Sequence, residues 1–295
     1  MDSTSFKKSL CLQMIWNENR TIRIAILDMN DGFPNQGMRC IRQIIKEWSE
    51  TLDLDIDSTE FNVRQKNELP DTSFDIYISS GGPGDPLSSR FDDWDIGWCK
   101  WLNEILRWNK NPSTTQKKYV FFICHSFQLA SRYFNTGLVY KRKSTSFGVF
   151  PMHLLEEGKK EPVFDGLSDP FYAVDSRDYQ VIQPNLALLN EMGASILCIE
   201  KNRPHVPYER AVMGIRFNDY MIGTQFHPEA DAEGMTRHFA TEEKRNAVIE
   251  NHGEEKLKSM LEHLNDPDKI RWTYSHIIPN FLNQAIGKLE PLVLV

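Results

Sequence analysis

A chain of 295 residues can bury a substantial core, and its net charge of -7 offers no basic field for a phosphate backbone, which argues against nucleic-acid binding. The five cysteines, Cys11, Cys40, Cys99, Cys124 and Cys198, are odd in number and scattered, without a C-x-x-C pair; they fit a reducing, cytoplasmic compartment better than a disulfide or zinc framework. No apolar run approaches the roughly 20 residues of a membrane helix, and the patch from Leu10 to Ile15 leads into Asn17, Glu18 and Asn19, so neither secretion nor a membrane partner is expected.

In chain order, Arg23 to Met29 reads as a buried strand ending in the turn Asn30-Asp31-Gly32, and Gly37 to Trp48 has helical spacing. Phe61 to Arg64 and Phe74 to Ser79 read as the next strands, the latter stopped by Gly81-Gly82-Pro83-Gly84. Asp92 is placed to cap a helix in which Trp94, Trp98, Trp101, Leu102, Ile105 and Leu106 form one apolar stripe, a core face rather than a ligand box. Tyr119 to Ile123 is a strand leading through Cys124 into a helix from Phe127 to Tyr133. This alternation predicts an α/β fold with a mainly parallel, open sheet covered by helices on both faces. From Phe147 onward the segments shorten, with strands at Phe171 to Val174, Ile196 to Ile199, Ala211 to Phe217 and Tyr220 to Thr224, the last two forming a hairpin. A helix marked by Leu257, Met260, Leu261 and Leu264 reads as an appendage, and Ile277 to Ile286 as a closing helix. The expected organisation is an extension over 1–21, a main domain over 22–230, a helical appendage over 231–271, and a closing helix and tail over 272–295.

Three features bear on chemistry. Cys124 stands where a buried strand gives way to a helix, a turn that lifts a side chain to the carboxyl edge of the sheet and surrounds it with helix N-terminal N–H groups. In Gln225-Phe226-His227-Pro228-Glu229, His227 and Glu229 lie two residues apart and point to one side of an extended chain, so the carboxylate can orient the imidazole. Ser80-Gly81-Gly82-Pro83-Gly84-Asp85-Pro86 follows a strand and lets backbone N–H groups approach a ligand; with no lysine after it, it is not a phosphate loop.

Together these strings resemble the class I (triad) glutamine amidotransferases, such as the glutaminase part of GMP synthase, over roughly residues 22 to 230. The resemblance implies a flavodoxin-like sheet and a Cys124, His227, Glu229 triad that hydrolyses a γ-glutamyl amide without metal or organic cofactor. It also implies oxyanion N–H groups from Gly82 and His125, and Gln128 as a substrate-holding residue. The family elbow G-x-C-x-G-x-Q here reads Phe122-Ile123-Cys124-His125-Ser126-Phe127-Gln128, with both glycines replaced. Ser146-Phe147-Gly148 and Asp175-Ser176-Arg177-Asp178 match the family's substrate segments only loosely.

Since the sequence carries no phosphate loop or second catalytic constellation, the resemblance implies either a separate ammonia-accepting synthase or a hydrolase acting alone on glutamine or another γ-glutamyl compound. Three alternatives stand beside it. One is a non-catalytic binding or regulatory protein on the same fold. Another, from the likeness of Ile123-Cys124-His125-Ser126 to the ThiJ/PfpI elbow, is a cysteine hydrolase with His125 as base. The third is an acyltransferase on the same scaffold.

Overall fold

The computed structural model describes residues 21–33, 35–52, 55–203, 209–234 and 269–289, with scattered residues between 245 and 266. Its strands are β1 (Ile22–Asp28), β2 (Ile56–Asn62), β3 (Ile76–Ser79), β4 (Tyr119–Ile123), β5 (Leu138–Leu154), β6 (Phe171–Ile182), β7 (Ser195–Glu200), β8 (Val212–Asn218) and β9 (Met221–Thr224). They form a nine-stranded sheet in the order β2-β1-β3-β4-β9-β8-β6-β5-β7. The helices used below are α1 (Gln36–Leu52), α2 (Val63–Lys66), α3 (Asp93–Lys110), α4 (His125–Phe134), α5 (Leu186–Met192) and α6 (Ile270–Leu289).

The expected mainly parallel, open sheet gives way to a mixed one. The strands β2, β1, β3, β4 and β9 run parallel. The rest pair antiparallel, and β7 also bonds to β8, so that β8, β6, β5 and β7 close on one another like a small barrel. Short connections allow the antiparallel pairings, whereas the parallel strands are linked through helices. The hairpin of β8 and β9 is present, turning at Asp219 and Tyr220.

The parallel strands carry unbroken apolar runs because helices cover both faces. On one face Ile24, Ile26, Ile76, Ile78 and Phe121 meet Ile41, Ile44 and Trp48 of α1 and Ile277, Phe281 and Leu282 of α6. On the other, Ala25, Leu27, Tyr77, Val120 and Phe122 meet the tryptophan stripe of α3 and Phe127 and Leu129 of α4. Asp92 stands at the N-cap of α3, but its carboxylate accepts from the Trp94 indole (3.2 Å) instead of capping a backbone N–H. The strand expected over Phe61 to Arg64 is the end of β2 followed by the single turn of α2, because the Asn62 side chain accepts from Gln65 N and starts a helix.

The closing helix is longer than its apolar spacing indicates and contains Pro279. It is fixed to α1 by Trp48 Nε1 donating to Asn283 Oδ1 (2.8 Å) and to the sheet by Phe281 edge-on to Phe121, with centroids 5.2 Å apart. Phe281→Ala is expected to cost about 3–5 kcal/mol, read as a lower urea midpoint with an unchanged slope. The helix expected around Met260, Leu261 and Leu264, and the N-terminal patch from Leu10 to Ile15, lie outside the described residues.

Candidate active site

The strand-to-helix turn at Cys124 is held in an unusual conformation, with φ 46° and ψ -96°. A non-glycine residue at positive φ is strained, and the surroundings impose it: Cys124 N donates to Thr224 O on β9 (2.8 Å), while its carbonyl already accepts from Gln128 N (3.0 Å). This is the geometry of a nucleophile elbow, with the side chain raised above the sheet edge. The sulfur lies 3.6 Å from the Ser176 carbonyl and 3.7 Å from Gln225 Nε2.

Both departures from the glycine elbow have local answers. Phe122 is fully buried, edge-on to Trp98 and Phe217. Its space comes from Gly223, its register partner on β9, where an added Cβ would press on Phe122 and Phe127 at 3.0 Å. Ser126 donates to the Ser80 carbonyl (2.7 Å) and meets Ser79 Oγ (2.7 Å), which also accepts from Trp98 Nε1 (3.1 Å). A hydroxyl in place of the second glycine thus ties the first turn of α4 to the glycine loop.

His227 follows β9, and its backbone N–H donates to Val174 O (2.8 Å), docking the segment on β6. Its Nδ1 is 2.8 Å from Glu229 Oε1 and its ring lies on the Cys124 side chain. Burial works against charging this imidazole, yet the carboxylate of Glu229 and the Cys124 side chain beside it together hold its pKa well above the usual 6.5. Glu229 is buried, and the first turn of α1 abuts it at Gly37, so the positive end of that helix faces the carboxylate. A cleft of about 240 Å³ opens beside His227 and Glu229, lined also by Gln36, Gly37, Phe147 and Ser176.

The glycine loop approaches the same point from β3. A Cβ on Gly81 would sit 2.7 Å from His227 Cε1 and 3.4 Å from Cys124 Cβ, and one on Gly82 would collide with the Met29 carbonyl. Close backbone approach is what the two glycines provide. Gly82→Ala is therefore expected to displace the loop, read as a lowered melting temperature by circular dichroism. Arg64 of α2 holds the Pro83 carbonyl, and Arg132 of α4 holds that of Pro86 while pairing with Asp95.

His125 is the first residue of α4, so its backbone N–H has no carbonyl a turn earlier in the helix. Its ring is buried beside Trp94 (centroids 6.1 Å apart). Burial, reinforced by Arg64, pushes its pKa down to about 3, so at neutral pH the ring is uncharged. Gln128 is buried, with Nε2 donating to Tyr179 O and Gln225 Oε1, both at 3.2 Å. Gln225, to which the sequence alone assigns no role, joins Gln128 to the Cys124 sulfur; its signal is its place at the head of the Gln225-Phe226-His227-Pro228-Glu229 string. Ser176 has only the loose match of Asp175-Ser176-Arg177-Asp178, and the start of α1 has no such signal.

An elbow cysteine, a histidine–carboxylate pair and a glycine loop thus meet on one edge of a mixed α/β sheet. The family model for glutamine amidotransferase class-I matches residues 33–245, and the chain belongs to that family. No curated protein matches the sequence closely. Among solved structures it is similar to a glutamine amidotransferase from Thermotoga maritima, with 14% identity, TM-score 0.61, and 90% of this chain and 98% of that one covered. It is also similar to a glutamine amidotransferase from Methylobacillus flagellatus, with 12% identity, TM-score 0.56, and coverage of 89% and 94%. The glutaminase domain of Trypanosoma brucei CTPS, solved with acivicin bound, gives 14% identity, TM-score 0.56, and coverage of 90% and 94%. At these identities the likeness is one of fold.

Proposed function

We propose that the protein hydrolyses a γ-glutamyl amide through a thioester on Cys124. The observation that carries this reading is the strained Cys124 at the head of α4 with His227 beside it and Glu229 2.8 Å behind. The Cys124 thiolate attacks the carboxamide carbon, and the N–H groups of Gly82 and His125 hold the resulting oxyanion. Imidazolium at His227 protonates the departing ammonia or amine, then as a neutral base draws a proton from the water that cleaves the thioester. Glu229 keeps the ring oriented throughout. Gln128 and Gln225 support the cysteine and wall the substrate site.

In this reading residues 22–230 and the closing helix make up the catalytic domain, residues 231–271 are the appendage, and either a separate synthase accepts the ammonia or the protein acts alone on a γ-glutamyl compound. Arg177, in the segment that matches the family loosely, turns into the barrel rather than toward Cys124, with its side chain fully buried against Asp175 and Glu200. The substrate pocket thus lacks a contact from that side chain, which favours a γ-glutamyl compound other than free glutamine.

The test is purified protein incubated with glutamine and a panel of γ-glutamyl amides, following released ammonia or amine and covalent adducts by intact mass. Turnover on any member, with an adduct on Cys124, supports the proposal. Neither turnover nor adduct across the panel, with or without a candidate synthase, favours a binding protein on this fold.

A further inference from the structure

The barrel half carries a second cavity, of about 290 Å³, lined by β5, β6, the end of β7 and β8. Alternation along β6 sends Ser176 toward the cleft beside His227 and Asp175 to the opposite face, into this second cavity. There Arg142 of β5, Arg177 of β6 and Arg203 after β7 converge on Glu200, at 3.4, 3.2 and 2.8 Å, and Arg177 also pairs with Asp175 at 2.9 Å. Lys201 lines the same space, its ammonium 4.9 Å from the Phe150 ring centroid.

Among the described residues, four cations, Arg142, Arg177, Arg203 and Lys201, thus surround two carboxylates, Asp175 and Glu200. The positive charge is in surplus, on Arg142 and Arg177, which are buried, and on Arg203 and Lys201, which are partly exposed. Arg177 is completely buried, and its Nη1 has no hydrogen-bond partner. Burial and repulsion by Arg177 pull the Arg142 pKa down to about 10. An ion network that served only stability would close its own charge, since an uncompensated buried cation is costly. Phe147, Phe150, Met152 and Met213 give the cavity its apolar lining.

We propose that this cavity is a binding site for a small molecule with a phosphate-type oxyanion head, held by Arg142, Arg203 and Lys201, and an apolar or aromatic body against Phe150 and Met152. Two guanidinium groups and an ammonium, arriving from β5 and from the segment after β7, suit a tetrahedral oxyanion better than the flat edge of a single carboxylate. The site stands independently of the proposed hydrolase activity, because its cationic side chains gather on Glu200 and Asp175 rather than on Cys124, His227 or Glu229.

The test is calorimetric titration of the full chain with inorganic phosphate and with phenyl phosphate at constant ionic strength. Saturable binding is expected, tighter for phenyl phosphate, weakened at least tenfold in Arg203→Gln and in Lys201→Met, and unchanged in Cys124→Ala. Arg203 is partly exposed, so its variant is expected to fold, which circular dichroism verifies. Absence of saturable binding in the natural sequence, or equal affinity in both folded variants, overturns the proposal. Loss of binding in Cys124→Ala would place the ligand in the nucleophile cleft and overturn it equally.

Discussion

Cys124→Ala is expected to lower amide release by on the order of 10⁴–10⁶-fold, the range found when a covalent nucleophile is removed, and to abolish the adduct seen by intact mass. The size of the effect follows from what the position supplies. In the proposed mechanism the other groups of the site, the Gly82 and His125 N–H donors and the His227–Glu229 pair, act on an oxyanion and a leaving group that arise only after the sulfur has attacked. The main chain at 124 keeps its bonds to Thr224 O and from Gln128 N, so the elbow survives the substitution and the loss is one of chemistry. A circular dichroism spectrum and melting curve close to those of the natural sequence, beside absent turnover, is the expected pair of results. Full turnover in the variant would remove the thioester mechanism, and labelling by a glutamine-like electrophile that persists without Cys124 would assign reactivity to another thiol. Cys198, the most deeply buried alternative, is a poor nucleophile because burial raises its thiol well above the ordinary range.

How much of this is legible in the sequence varies with the distance over which the physics acts. The turn at Cys124, the tryptophan stripe of α3 and the His227–Glu229 pair are local patterns, and a residue spacing is enough to read them. The hairpin of β8 and β9 is local too. β5 escapes such a reading because its first half, Lys141-Arg142-Lys143-Ser144-Thr145, is polar and its pairing with β6 shifts register between Lys141 and Ser146. No alternation of two is visible there, and partner strands rather than its own composition hold it. The antiparallel closure through β7 and β8 is a tertiary event of the same kind.

The elbow shows the limit most clearly. Phe122 in place of glycine looks like a steric obstacle in one dimension, and Gly223, which relieves it, is distant in sequence and adjacent only through the β4–β9 register. Ser126 likewise reads as a tolerated small residue, whereas its hydroxyl fastens α4 to the glycine loop. His125 reads as a candidate base from its place beside the cysteine; the direction of its ring, into the Trp94 layer, is set by helix packing that no neighbouring residue announces.

Glu229→Gln separates orientation from charge at the same site. A glutamine oxygen can still accept from His227 Nδ1 and preserve the ring position, but the negative charge that stabilises imidazolium is gone. By analogy with the carboxylate of serine-protease triads, the expected loss in kcat is on the order of 10³–10⁴-fold. The pH profile carries the sharper reading. Because His227 is raised well above 6.5 in the folded protein, imidazolium persists beyond the ordinary histidine range, and the descending limb of kcat/KM lies above that range. Without Glu229 that limb moves to lower pH.

Stability obeys the same linkage. A raised folded-state pKa contributes fully below the unfolded value of 6.5 and is lost as pH rises through the folded value. The stability gap between the natural sequence and Glu229→Gln is therefore expected to be widest near pH 6, where the carboxylate is ionised and the histidine charged, and to narrow in alkali. Urea midpoints measured across that interval report the gap directly. A gap independent of pH, together with an unmoved alkaline limb, would mean that Glu229 positions His227 without setting its charge. The attack on the carboxamide would then need a different source for the proton delivered to the leaving group.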